Sequence, residues 1–357
     1  MKAVVVHEPH DLELVEIPRP TPGPFQALVR IVTCGVCGTD RSILAGKFPV
    51  RRYPCLLGHE SLGRVEEVGP GVTSLAPGDY VLRPYCLAPG DRLGSWHSLW
   101  GGFAEWGLVW DHEAVLAAQH EPGCPRKTPF APKQQKLPKE FDPLDGAMFI
   151  TFKECFSFLE RVGGAGDKNV VVLGTGPVAT AFIQSAKLLG ARSVFVIGRR
   201  QEALELCAGV GADRVFDMRA GDVIRAVRDG LGSVGGSGGS GGSGGPGADL
   251  VVDCTGSNDM IGMGPLLLSS GGRVALYGVG SAGSINLPVG WGSVPNDFSV
   301  QRASPMEEEV HDRCLAAVME NRVDLRAPVT HVVGLVDIRK GFELLDRREA
   351  VKVVVEL

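Results

Sequence analysis

Residues 169–184 read NVVVLGTGPVATAFIQ: an apolar run of strand character, a glycine turn, then apolar residues at helical spacing. Gly174, Gly176 and Ala179 stand at GxGxxA spacing. Between a strand and a helix, the first glycine permits a tight turn and the second lets the backbone approach a pyrophosphate. The small third residue lets the helix pack close on the strand. Pro177 and Val178 open the helix, whose first N–H groups have no intrahelical partner and are offered to an anion.

The flanks give this turn its context. Strand-like SVFVIG, RVFDM, ADLVVDCTG and RVALYGVG alternate with helix-like EALELCAGVG, VIRAVRD and MIGMGPLLLSSG, joined by short connections. That alternation predicts an α/β unit over about 151–290, a doubly wound parallel sheet covered on both faces. It is a Rossmann-type dinucleotide-binding domain by pattern. One interruption, GGSGGSGGSGGPG at 235–247, offers no side chains to bury, so a flexible loop over about 233–247 is expected and carries no function.

The second strand of such a unit ends where an acidic residue would hold the 2′-hydroxyl of NAD. Here that place reads Gly198, Arg199, Arg200. No carboxylate repels a phosphate, the glycine leaves room, and two guanidinium groups can bind one in bidentate fashion. NADP(H) is therefore the expected cofactor. Asp253, Thr255 and Gly256 follow LVVDC, and Gly278 to Gly280, with Val279 between, follow RVALY. These are carboxyl ends of predicted parallel strands, where ligands gather, so contacts with the nicotinamide half are expected from Thr255, Gly278 and Val279.

Working outward, residues 1–115 carry short apolar runs cut by Pro and Gly, the pattern of a partly open barrel. Residues 116–141 are proline-rich and polar and read as a surface loop; a helix is expected over 143–162. From about 291 two further helical runs lead to a last strand, AVKVVVEL, that returns to the first domain. A length of 357 residues suits two such domains. A net charge of −5 gives no electrostatic draw toward nucleic acid, and no stretch reads as a secretory leader or membrane span. Nine scattered cysteines, an odd number, argue against a disulfide framework and for a reducing, cytoplasmic setting. Small molecules and further copies of the chain are the expected partners.

Two segments of the β-rich domain carry metal-ligand chemistry: CGVCGTD at 34–40 and LGHESLG at 57–63. Zinc takes thiolate and imidazole, and a catalytic site keeps three protein ligands and an open fourth position. Cys37 and His59 suit that role, Glu60 is the neighbouring carboxylate, and Asp40 can orient the His59 ring.

These segments, with LAPGDYV, GGFAEW, LGTGPVA, VVDCTGS and GGRVALYGVG in order along the chain, resemble the zinc-type medium-chain alcohol and polyol dehydrogenases, in the branch of sorbitol, threonine and archaeal glucose dehydrogenases. The resemblance implies a GroES-like catalytic domain over 1–150, completed by about 291–357, and a catalytic zinc held by Cys37 and His59. It also implies a proton relay beginning at Thr39, and a dimer or tetramer. Cys34 then belongs to the packed core. The lobe that holds a structural zinc in many members has only Cys86 here, so no second zinc is expected.

The third catalytic ligand of the family falls at Ile150, between Phe149 and Thr151, and Ile cannot bind metal. Glu60, or Glu154 one helical turn beyond Ile150, takes that place, or the zinc is lost. The expected activity is NADP(H)-linked interconversion of a secondary alcohol, polyol- or sugar-like, with its carbonyl. Two alternatives stay open. One is a metal-free reductase or redox-neutral isomerase with tightly held cofactor, suited by the apolar Met148, Phe149, Ile150 and Phe152; the other is a catalytically retired NADP-binding scaffold.

Overall fold

Gln26–Gly35, QALVRIVTCG, is the strand about which the first half of the structure is built. In this computed structural model its upstream part pairs with Trp106–Trp110 and its last residues pair with Lys352–Glu356. Along nearly all its length it also pairs antiparallel with Glu60–Val68. Val29, Ile31 and Cys34 are fully buried. The structure describes the chain except residues 49–51, 121–123, 126–127, 129, 234–245, 279–283, 288–293 and 296. Most of the glycine-serine tract, and Val279, lie outside the described residues.

The chain divides into two units, Met1–Ile150 with Val329–Leu357, and Thr151–Pro328. Residues 291–328 were expected to complete the first domain, and the structure places those of them it describes in the second, where Ser299–Gln301 extends the parallel sheet beside Leu268–Leu276. The return to the first unit comes at Val329, because the helical run HDRCLAAVM within that stretch buries Cys314 and Ala317 in the second unit. The segment expected to be wholly loop, 116–141, contains Lys136–Leu137, which adds to Tyr80–Leu82 as an edge strand.

In the first unit the described residues form two sheets. One runs Asp11–Glu16, Lys2–Glu8, Cys55–Leu56, Trp96–Ser98, Arg92–Leu93; the other is centred on Gln26–Gly35 and Glu60–Val68. In the second unit a parallel sheet runs Arg214–Asp217, Ser193–Gly198, Asn169–Leu173, Ala248–Asp253, Leu268–Leu276, Ser299–Gln301. That is the 3-2-1-4-5-6 order of a Rossmann sheet, with the switch in direction beside Asn169–Leu173. Asn169–Leu173 and Ser193–Gly198 are buried throughout, as strands covered on both faces must be.

Asp111 ties the loop after Glu60–Val68 to the short helix His112–Ala117. Its carboxylate accepts from Thr73 N and Ser74 N at 2.7 Å each, from Ser74 Oγ at 2.7 Å and from Ala114 N at 3.0 Å. Burial pushes its pKa up, but these donors outweigh burial and hold it below the ordinary carboxylate value. A depressed pKa contributes stability that is fully present above the unfolded value of about 3.9 and is lost as pH falls through the folded one. Asp111→Ala is expected to cost about 3 kcal/mol at pH 7, from several stranded donors. The deficit should narrow in urea titrations below about pH 4; a deficit independent of pH would contradict this account.

Candidate active site

Cys37 stands at the start of the helix Gly38–Leu44, immediately after the central strand ends, and His59 and Glu60 stand where the strand Glu60–Val68 begins. Antiparallel pairing sets Gly35 opposite Glu60, so both segments meet at one end of the sheet. The ligand atoms of Cys37, His59 and Glu60 all lie within 4.8 Å of one another. Thiol, imidazole and carboxylate are the donor types zinc takes, and three is the number a catalytic site uses. The residues present fit such an ion.

Asp40 organises the cluster from behind. It is fully buried, its Oδ2 accepts from Cys37 N at 3.0 Å, and its Oδ1 accepts from Gly58 N at 3.3 Å. The same Oδ1 lies 3.5 Å from His59 Nδ1, near enough to set the ring without a formed bond. Burial alone would lower the His59 pKa, but the carboxylate of Asp40 and the thiol of Cys37 outweigh it and raise the value well above normal. Trp100 covers the ring, centroid to centroid 4.6 Å, and Arg83 Nη1 donates to the His59 carbonyl at 2.5 Å. Thr39 is half-buried on the first turn of the helix. Cys34 faces the apolar core with Val355 and Phe103, and burial pushes its thiol pKa well up.

Glu60 is held by a residue the sequence did not single out. Lys352 Nζ donates to Glu60 Oε2, with side-chain exposures of 2% and 5%. Burial would lower the Lys352 pKa, and the Glu60 carboxylate reverses this and raises it. Gly35 makes the space: a Cβ there would collide with Glu60 Oε2 and stand 2.9 Å from Lys352 Cε. Ile150, at the expected third-ligand position, is fully buried as a core residue. Glu154 belongs to the second unit, where its Oε2 accepts from Tyr277 Oη at 3.0 Å. Among the described residues the donor cluster therefore takes Glu60 and not Glu154. Met148 and Phe152 are buried, and Phe149 packs on Phe141 at 5.3 Å.

The glycine turn of the second unit has the backbone its sequence requires. Gly174 adopts φ +118°, Gly176 caps the helix Pro177–Leu188, and a Cβ on Gly176 would meet nothing within 4 Å. Pro177 and Val178 form the open first turn, while Ala179 is fully buried against the sheet. At the next strand end Gly198 pairs with Asp217; Arg199 is exposed beside Met218 Sδ, and Arg200 caps the helix Gln201–Gly209. The acid at this edge, Asp217, is neutralised by Arg219 at 2.6 Å, which holds its pKa down to about 2. Asp253 is fully buried and accepts from Thr255 N, Thr255 Oγ1 and Gly256 N at 3.0, 2.6 and 2.9 Å, while Gly278 N donates to its carbonyl at 2.9 Å. Thr255 and Gly278 are thus fixed side by side.

Sequence reasoning missed Lys352, Arg83 and the Asp217–Arg219 pair. Only the last had a local signal, an acid and an arginine two residues apart. Lys352→Met would remove an ammonium group from the buried Glu60 carboxylate, at an expected cost of about 3–5 kcal/mol in urea unfolding. The double variant Glu60→Gln, Lys352→Met should recover most of that. A cost under about 1 kcal/mol, the value of an exposed pair, would show that the two charges are not held out of water.

Comparison with known proteins adds the family. Residues 23–119 match the alcohol dehydrogenase GroES-like domain and residues 177–301 the zinc-binding dehydrogenase family. An alcohol dehydrogenase of Geobacillus stearothermophilus is 31% identical over 251 residues, 66% of this chain and 68% of that one. A sorbitol dehydrogenase of Gallus gallus is 27% identical over 370 residues, 99% and 96% of the two chains. A crystal structure of a protein assigned as a zinc-binding dehydrogenase from Sinorhizobium meliloti 1021, bound to NADP, superposes with TM-score 0.78 at 27% identity, covering 100% of this chain and 99% of that one. With the GroES-like and Rossmann-type units, the glycine turn and the Cys-His-Glu cluster in their places, this chain belongs to the zinc-type medium-chain dehydrogenase family and is an oxidoreductase.

Proposed function

We propose that the protein is an NADP(H)-dependent dehydrogenase that interconverts a secondary alcohol, polyol- or sugar-like, with its carbonyl, assisted by one zinc ion. The observation that carries the reading is the convergence of Cys37, His59 and Glu60 within 4.8 Å. The sorbitol dehydrogenase relative supports the substrate class, and the NADP-bound relative supports the cofactor.

Cys37, His59 and Glu60 would hold the zinc. When bound, the zinc would polarise the substrate oxygen as a Lewis acid, and the nicotinamide would take up or return the hydride. Asp40 fixes the positions of Cys37 and His59 through the backbone and the ring. Lys352 sets an ammonium group against the Glu60 carboxylate inside the protein, as its counter-charge. Thr39 takes the proton from the substrate hydroxyl and passes it toward water. Gly174 would supply the tight turn, its own N–H being held by Ile197 O, while Gly176 and Val178 would offer backbone N–H groups to the pyrophosphate; Thr255 and Gly278 would border the nicotinamide end, and Arg199 and Arg200 would bind the 2′-phosphate. The chain acts on small molecules in the cytoplasm as a homo-oligomer.

Two measurements test the reading. Purified protein should carry about one zinc per chain, and Cys37→Ser should lose both the metal and the activity. Content well below this, with activity that survives a chelator, would favour metal-free chemistry. Replacing Arg199 and Arg200 together by Ala should raise KM for NADP(H) at least about tenfold, since each charge-assisted contact contributes about 1.5–3 kcal/mol, while KM for NAD(H) changes little. Equal changes for the two cofactors would overturn the assignment.

A further inference from the structure

Gly198 stands where an NAD-binding unit carries its acidic residue, but the space beyond it is already filled. A Cβ built on Gly198 would fall on Thr175 Cγ2, far inside van der Waals contact, with Leu204 Cδ2 at 3.1 Å and Thr175 Oγ1 at 3.3 Å. Thr175 lies within the glycine turn between Gly174 and Gly176 and is 9% exposed. Its backbone has little room to withdraw, because Gly174 N donates to Ile197 O at 2.9 Å and ties the turn to the end of the same strand. The side chain is β-branched and has few rotamers to choose from.

We propose that Thr175 is a specificity-determining residue, its side chain occupying the space that a carboxylate-bearing residue at position 198 would need. This rests on the NADP(H) reading above. Packing against the turn then holds position 198 to a residue without a side chain, so no acid for a free ribose hydroxyl can stand there while Thr175 does. Arg199 and Arg200 attract the 2′-phosphate, and Thr175 excludes the acid that would recognise a free ribose hydroxyl. An acid placed at position 198 cannot by itself convert the site, since the obstruction lies in the turn and not in the strand.

The test is a set of double-variant cycles read as dissociation constants for NADP+ and NAD+ by fluorescence titration of the full chain. Gly198→Ala should weaken NADP+ binding by about tenfold or more, because overpacking displaces the turn. Thr175→Ala, Gly198→Ala should bind NADP+ within about threefold of Thr175→Ala alone, because sites in contact couple. In the second cycle, Thr175→Ala, Gly198→Asp should bind NAD+ about tenfold more tightly than Gly198→Asp. Equal NADP+ losses in Gly198→Ala and its double variant, or equal NAD+ affinity in Gly198→Asp and its double variant, would overturn the proposal. If Gly198→Ala does not accumulate as folded protein, recovery of a cooperative thermal transition in the double variant supports the clash, and failure to recover refutes it. A wild-type protein that binds both cofactors equally overturns the NADP(H) reading instead, and the alanine cycle still reports on the packing.

Discussion

The ion pair between Glu60 and Lys352 is the constraint on which the first unit turns. The two residues are 292 positions apart, and both side chains are nearly excluded from water. Removing each charge from water costs several kcal/mol, recovered only when the geometry is right. Three strands enforce that geometry: Glu60 pairs with Gly35, Gly35 pairs with Val354, and Lys352 opens the last strand of the chain. A side chain at position 35 would break the arrangement, so a glycine ends the central strand. Apolar residues of similar volume would hold these strands together as well or better. What they would not supply is an ionised carboxylate beside Cys37 and His59.

Much of this was legible in the sequence because its signals are local. The strand, turn and helix of residues 169–184 need one glycine with positive φ and one with open space above it, and Gly174 and Gly176 meet both needs. Cys37, Asp40 and His59 could be read because residues of metal-ligand and ligand-orienting type sit within short segments. Lys352 could not be read. A lysine in AVKVVVEL looks like any lysine on an edge strand, and only the register with Gly35 turns it inward. The end of the second unit was also misplaced, since an apolar helix spacing at 311–319 reports that a helix forms but not which core it covers. Ile150 was the reverse case. The sequence marked it as a lost ligand, and the structure shows that a carboxylate already lay within the cluster.

The cofactor unit is fixed by different means. Its parts are backbone: the turn, the helix N-terminus and two strand ends held by the carboxylate and carbonyl of Asp253. Side chains enter at its edge, where the acid Asp217 is balanced by Arg219 and Arg199 and Arg200 stand beside it. Backbone sites tolerate sequence change wherever φ and space allow, and for that reason a motif of three small residues can be recognised across divergent chains.

The donor cluster, by contrast, gathers acidic groups around one imidazole. Around His59 stand Asp40, Glu60 and the Cys37 thiol, with Lys352 on Glu60 and Arg83 on the His59 carbonyl as the cations. Burial should disfavour a charged imidazole, yet the His59 pKa moves upward, so the local field is negative enough to overcome desolvation. A proton on His59 would relieve that field at the expense of the lone pair a metal needs, whereas a divalent cation relieves it and keeps imidazole, thiolate and carboxylate as donors. With a second buried cation in place of Trp100 beside the ring, the cluster would lose the electrostatic reason for the metal proposed here.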